Sequence, residues 1–258
     1  MKERGIAIDM NDRSNFVIKH ESQLLWRNAG LKADSPSSWL DALLKLLSAI
    51  PPDYRSNINR ICISGTSSSA VIYDCQTVEV SAERGTRMYN FNIQDNDSVL
   101  ATEVMRRIKK RCPPDSTTAA STSTLAKLLL WQLQKPLKSQ EVLIHQADYL
   151  TNALLVPGFV RLNRTASSQS PVNPNLLVSD WHNALKLGFD VQELRYPQWL
   201  LSLLSEDMQM STSVLPAKVL QPGQSAGLID SLIASELGLN PSCAIVAGGI
   251  DLTSAVSH

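Results

Sequence analysis

Val178-Ser179-Asp180-Trp181-His182-Asn183-Ala184 sets a carboxylate among a hydroxyl, an indole, an imidazole and an amide, directly behind an apolar residue. Such a group suits a polyhydroxyl ligand, which is held by hydrogen bonds and by stacking on aromatic faces. A carboxylate there can accept a hydroxyl proton as that oxygen attacks a phosphoryl group. Aspartate also caps helices, and here it would open a short turn from Trp181 to Lys186. Three stretches of similar character frame it: Ile61-Cys62-Ile63-Ser64-Gly65-Thr66-Ser67-Ser68, His145-Gln146-Ala147-Asp148-Tyr149-Leu150, and Ala247-Gly248-Gly249-Ile250-Asp251. His145 and Asp148, three apart on an expected helix, read as surface partners, with a structural or substrate-lining role for Asp148.

Working outward, the pattern alternates strands and helices. Gly5 to Met10 and Asn15 to His20 read as two strands of a hairpin around the polar turn Asn11-Asp12-Arg13-Ser14. Ser35-Pro36 opens a helix on which Trp39, Leu43, Leu47 and Ile50 recur at helical spacing, and Pro51-Pro52 ends it. Ile58 to Ser64 and Ala70 to Asp74 are apolar runs flanking Gly-Thr-Ser-Ser-Ser, a strand, turn and strand whose amides and hydroxyls face outward. Helices are expected at about 97–111, 122–134 and 227–238, and a buried strand from Cys243 to Ala247. The Ser-, Asn- and Pro-rich stretch 164–176 reads as an exposed loop, and Leu215 to Gly223 as a boundary or a loop within one domain. No fixed-period repeat or heptad is present. The class is α/β.

Composition bounds the function. The chain has 258 residues, 43% of them hydrophobic, enough to bury a sizeable core. Lys plus Arg and Asp plus Glu number 24 each, so no summed field favours nucleic acid or an anionic membrane as partner. No apolar run approaches the ~18 residues of a membrane span, and MKERGIAIDMNDR is too polar for a secretory signal, which makes the cytoplasm the default compartment. Cys62, Cys75, Cys112 and Cys243 lack paired spacing and suit reduced core thiols.

One rival chemistry is a mononuclear metal site built from His145, Asp148, Asp180 and His182, which would make the protein a metal-dependent hydrolase. It lacks HExxH or HxH spacing. A serine hydrolase fares worse, since no GxSxG is present and Ser67 and Ser68 have no evident histidine partner.

Taken in order, the four polar stretches resemble the sugar-binding half of the FGGY carbohydrate kinases, nearest to the ribulokinase or xylulokinase-like branch of cyanobacteria and plants. The resemblance implies a ribonuclease-H-like (actin-like ATPase) fold, a mixed sheet with helices on both faces, and transfer of the ATP γ-phosphate to a hydroxyl of a ketopentose with Mg2+. It implies sugar contacts at Thr66, Ser67, Ser68 and Asn90, with Asp148, His182 and Asn183 lining the site and Asp180 as the base. Ser64 departs from the acidic or amide residue expected in that branch. Gly248, Gly249 and Asp251 would lie near the transferring phosphate.

The same resemblance sets residues 1–246 as the sugar-binding domain and 247–258 as the start of a nucleotide-binding domain. Family members begin with a strand and phosphate turn, G-x-D-x-G-T-S-x-x-R, whose last arginine aligns with Arg4. The expectation is therefore a chain without that first strand, which would lie between 5–10 and 58–64, and without most of the nucleotide-binding domain. The 11 glycines, about 4% against a typical ~7%, fit the loss of phosphate loops. Unpaired strand edges would follow, with a homo-oligomer or complementing chain as partner and little activity from the chain alone. A noncatalytic sugar-binding or regulatory module is the alternative from another class.

Overall fold

The structure, a computed structural model, describes residues 2–12, 15–160 and 170–250, with side chains for 17–160 and 170–248. It opens on an antiparallel hairpin of β1 (Lys2–Asp12) and β2 (Asn15–Leu25), longer than the sequence pattern implies. α1 (Pro36–Ala49) starts on proline and stops before Pro51; it buries Trp39, Ala42 and Leu47, and the Trp39 indole donates to the Ala33 carbonyl at 2.7 Å. A single turn, α2 (Pro52–Arg55), leads to β3 (Arg60–Gly65), which alternates exposed and buried residues. β4 (Ala70–Asp74) is buried along its whole length and is followed by the short β5 (Glu79–Val80).

Two capped helices follow. Asp97 accepts from the Leu100 amide at the head of α3 (Ser98–Arg111), and Ser123 from Ala126 at the head of α4 (Thr124–Gln134). β6 (Glu141–His145) runs straight into α5 (Gln146–Leu155). β7 (Val178–Asp180) likewise runs into α6 (Trp181–Leu185), and α7 (Gln198–Ser202) widens into a π-type turn at Leu203–Asp207. The described chain closes with β8 (Lys218–Leu220), β9 (Ser225–Leu228), α8 (Ser231–Leu237) and β10 (Ala244–Ile250).

The helix expected at 227–238 is shorter. Residues 225–228 pair antiparallel with β10, and Asp230 then caps Leu232 and Ile233, so the helix begins at Ser231. It stops at Gly238, whose φ of +62° is the left-handed geometry glycine adopts without penalty. Leu215 to Gly223 is no boundary: β8 pairs parallel with β7, and the Gly223 amide donates to the Ala247 carbonyl at 2.7 Å. Of the expected loop 164–176, residues 164–169 lie outside the described residues, and Pro174–Leu176 form a 3-10 turn.

The strands form four small sheets: β1-β2, β3-β10-β9, β5-β4-β6 and β7-β8. β10 runs parallel to β3 and antiparallel to β9, which makes that sheet mixed. Among the described residues the hairpin pairs with no other strand, and β3 is paired along one edge only. A helical cluster from α3, α4 and α7 packs on one side around Leu128, Leu129 and Leu200; α1 and α5 enclose Tyr73, Tyr149 and Phe159 on another. Tyr73 and Phe159 stack at 4.5 Å between centroids. Among the described residues no helix is long and apolar enough to cross a membrane.

A buried ion pair locks β6 to the segment after β5. Arg84 Nε and Nη2 donate to the two oxygens of Glu141 at 2.9 and 2.7 Å, with both side chains 3% exposed. Burial alone raises the Glu141 pKa, but the Arg84 hydrogen bonds and the Lys138 amide outweigh it and hold the carboxyl low. Glu141→Gln is therefore expected to cost about 1–3 kcal/mol in urea unfolding, because it removes the counter-charge and leaves the guanidinium with neutral acceptors only, among them the Lys135 and Pro136 carbonyls. The pair's contribution is present above the unfolded carboxyl pKa of about 4.3 and is lost as pH falls through the lowered folded value. Gly65→Ala should cost about 1–3 kcal/mol in the same assay: a Cβ there would lie 2.9 Å from the Ala147 backbone nitrogen.

Candidate functional site

β3, β6 and β7 end at Gly65, His145 and Asp180, and Ile250 at the end of β10 pairs with Gly65. The polar stretches of the sequence thus lie at the carboxyl ends of strands, where backbone groups run out of ladder partners and open α/β folds take their ligands. The first turn of α5 joins them. Gln146 Oε1 accepts from the Thr66 amide at 2.9 Å and lies 2.8 Å from the Thr66 hydroxyl, while the Gln146 amide donates to the Ser69 carbonyl. Two residues on, Asp148 Oδ2 accepts from the Ser179 hydroxyl at 2.7 Å.

His145 and Asp148 are not surface partners. They are 0% and 4% exposed, because β6 and α5 lie inside the fold rather than on its face. His145 Nδ1 lies 3.0 Å from Asp148 Oδ2 and its Nε2 lies 3.1 Å from the Thr124 hydroxyl, so both ring nitrogens are hydrogen-bonded. Burial pushes the Asp148 carboxyl up; the hydrogen bonds from His145 and Ser179 oppose this, and the nearby Asp180 charge adds to it.

The hydroxyl loop is compact. Thr66 Oγ1 lies 2.6 Å from Ser69 Oγ, which accepts the Tyr89 amide at 2.8 Å. Thr66 and Ser67 are half-buried; Ser68 is buried and adopts a φ of +61°, rare outside glycine. Asn90 is exposed just beyond Tyr89. Ser64 is exposed on the β3 face that also presents Cys62, whose thiol is raised by burial and by Asp180.

Asp180 caps α6. Its Oδ1 accepts from the His182 and Asn183 amides at 2.8 and 3.1 Å, and its Oδ2 accepts from Asn183 Nδ2 at 2.7 Å. Asp180 is 2% exposed, and Asn183 Oδ1 is buried with no protein partner. His182 is exposed on the first turn of α6. Asn183 therefore holds Asp180, while His182 alone of the two reaches solvent.

The metal alternative does not assemble. Among the described residues no group of three His, Cys, Asp or Glu side chains is placed to hold an ion, and both His145 nitrogens are engaged. Gly248 is required by packing, since a Cβ would run into the Ile63 carbonyl. Gly249 pairs with Ser64 in the β3–β10 ladder. Asp251 lies outside the described residues. The described part of the site thus does not of itself fit ATP or magnesium.

Sequence reading passed over Thr124 and Lys127 and gave no tying role to Ser69, Gln146 or Ser179, which join the segments together. A lone lysine in Leu125-Ala126-Lys127-Leu128-Leu129-Leu130 was the available signal.

No protein-family model matches the chain. Among solved structures it is similar to the xylulose kinase from Rhodospirillum rubrum, with 16% identity and a TM-score of 0.68 over 97% of this chain and 47% of that one. The ligand-bound xylulose kinase from Lactobacillus acidophilus gives 18% identity and a TM-score of 0.63 over 97% and 46%. The Plasmodium falciparum glycerol kinase with ADP gives 14% and 0.62 over 91% and 44%. The chain spans about half the length of these kinases, and it shares with them a mixed α/β fold.

Proposed function

We propose that the chain is the sugar-binding part of an ATP-dependent carbohydrate kinase that phosphorylates a hydroxyl of a ketopentose such as D-ribulose or D-xylulose. The single observation that carries this reading is the junction at α5, where one helical turn binds the hydroxyl loop through Gln146 and the Asp180 segment through Asp148 and Ser179. The likeness of the fold to sugar kinases supports it. In this reading Ser67, Asn90 and His182 contact the sugar, and Thr66, Ser68 and Asn183 shape the surface behind them. Asp180 accepts the proton of the attacking hydroxyl through Oδ2. The three hydrogen bonds that Asp180 receives fix its direction, and a positioned carboxylate of this kind contributes roughly 10²–10⁴ in rate. Residues 1–246 are the sugar-binding domain, and 247–258 begin a nucleotide-binding domain.

One observation favours a second reading, a noncatalytic sugar-binding module. An Asp180 that is 2% exposed and accepts three hydrogen bonds is also a complete helix cap.

Asp180→Asn separates the two, because asparagine caps as well as aspartate but cannot take a proton. We expect it to shift the unfolding midpoint little and to keep D-xylulose binding within a few-fold by calorimetry, and, in a fusion of the chain to the nucleotide-binding half of a sugar kinase, to abolish sugar-dependent ADP release in the presence of ATP and magnesium. Saturable sugar binding with no ADP release from either fusion would favour the noncatalytic module. No binding of any ketopentose would sink both readings.

A further inference from the structure

The hydroxyl loop hangs on a buried lysine. Lys127, on α4, is 0% exposed, and its Nζ donates to the Ser68 carbonyl at 2.7 Å and to the Met88 carbonyl at 2.8 Å. Its own carbonyl accepts from Arg87 Nη1 at 2.5 Å. Arg87 also donates to Gln134 and lies over the Trp131 ring at 4.2 Å. Among the described residues neither cation is bonded to a carboxylate.

Burying an ammonium without a counter-charge is costly, and one that merely filled space would be better replaced by an apolar side chain. A neutral amine has two N–H donors, which match the two carbonyls and leave no proton without an acceptor. Burial and the facing charge of Arg87 push the Lys127 pKa down to about 7, so this form is populated near neutrality. Ser68 supplies a second observation: a non-glycine residue at positive φ persists only where its surroundings hold it.

We propose that Lys127 is a positioning residue for the sugar: by tying the Ser68 carbonyl to the Met88 carbonyl it fixes the hydroxyl loop against the segment that carries Asn90. The proposal rests on the reading of that loop as sugar-contacting. Protonation adds a third N–H that finds no acceptor among the described residues and so loosens the tie, and affinity falls as pH drops through about 7. Arg87 is the charged group that faces the amine from the adjoining segment, and His145 meets α4 one turn earlier through Thr124.

The test compares wild type with Lys127→Met by amide exchange and by D-xylulose calorimetry between pH 6 and about 9. Lys127→Met should speed exchange at the Thr66 and Tyr89 amides at least tenfold more than at α3 amides, weaken D-xylulose at least tenfold, and remove the affinity step near neutral pH. Every other ionisable group is common to both proteins, so the difference between the two profiles belongs to Lys127. A uniform rise in exchange, or an unchanged pH step in the variant, overturns the proposal. If Lys127→Met does not fold, Lys127→Gln keeps two N–H donors on a shorter arm, and 13C-lysine NMR of the wild type gives a variant-free reading. One lysine should titrate near 7 and shift lower with D-xylulose, and the absence of such a resonance refutes the assignment. Failure of the wild type to bind any ketopentose would instead sink the sugar reading, leaving the tie itself to the exchange comparison.

Discussion

A helix buried on almost every side yet carrying polar residues can exist only if each polar group finds a partner, and α5 is such a helix. His145 at its cap, then Gln146, Asp148 and Asn152, are all at most 4% exposed. Each unpaired group would cost about 1–3 kcal/mol, so their demands fix the surrounding chain. Gln146 takes the hydroxyl loop, His145 takes Thr124 of α4, and Asp148 takes Ser179. Asn152 completes β7 in the manner of a strand, donating to the Val178 carbonyl at 2.9 Å and accepting its amide at 3.0 Å. Remove this helix and the loop, β7 and the head of α4 lose their common reference.

The same economy governs Asp180. As a cap it satisfies two amides that α6 would otherwise leave orphaned, and as a carboxylate it is aimed by those bonds and by Asn183. Capping and proton acceptance use different oxygens for most of their bonds, so one role does not forbid the other. Negative charge at a helix N-terminus is also favoured by the helix dipole, although α6 has only five residues and that contribution is small.

Much of the scaffold was legible in the sequence. Pro36 and Pro51 bracket α1 because proline lacks an amide and is tolerated only at a helix start. The hydrophobic spacing that locates α3 and α4 follows from the 3.6-residue turn. The helix expected at 227–238 came out short because Gly227 sits in a strand and Asp230 is the stronger cap. The division into four small sheets was not legible, since strand pairing depends on partners far along the chain. Gly249 meets Ser64 across 185 positions of sequence.

At the site, the sequence by itself determined which segments are polar, and that Asp180 can cap a short turn beginning at Trp181. Both are local matters, set by neighbours within a turn or two. Only the tertiary structure decided that His145 and Asp148 are interior, because burial is a property of what packs around a residue and not of its spacing. It decided likewise that Lys127, a lone charge in an apolar helix, reaches the carbonyls of Ser68 and Met88. Those acceptors lie 59 and 39 residues away along the chain, and only folding brings them within a hydrogen bond.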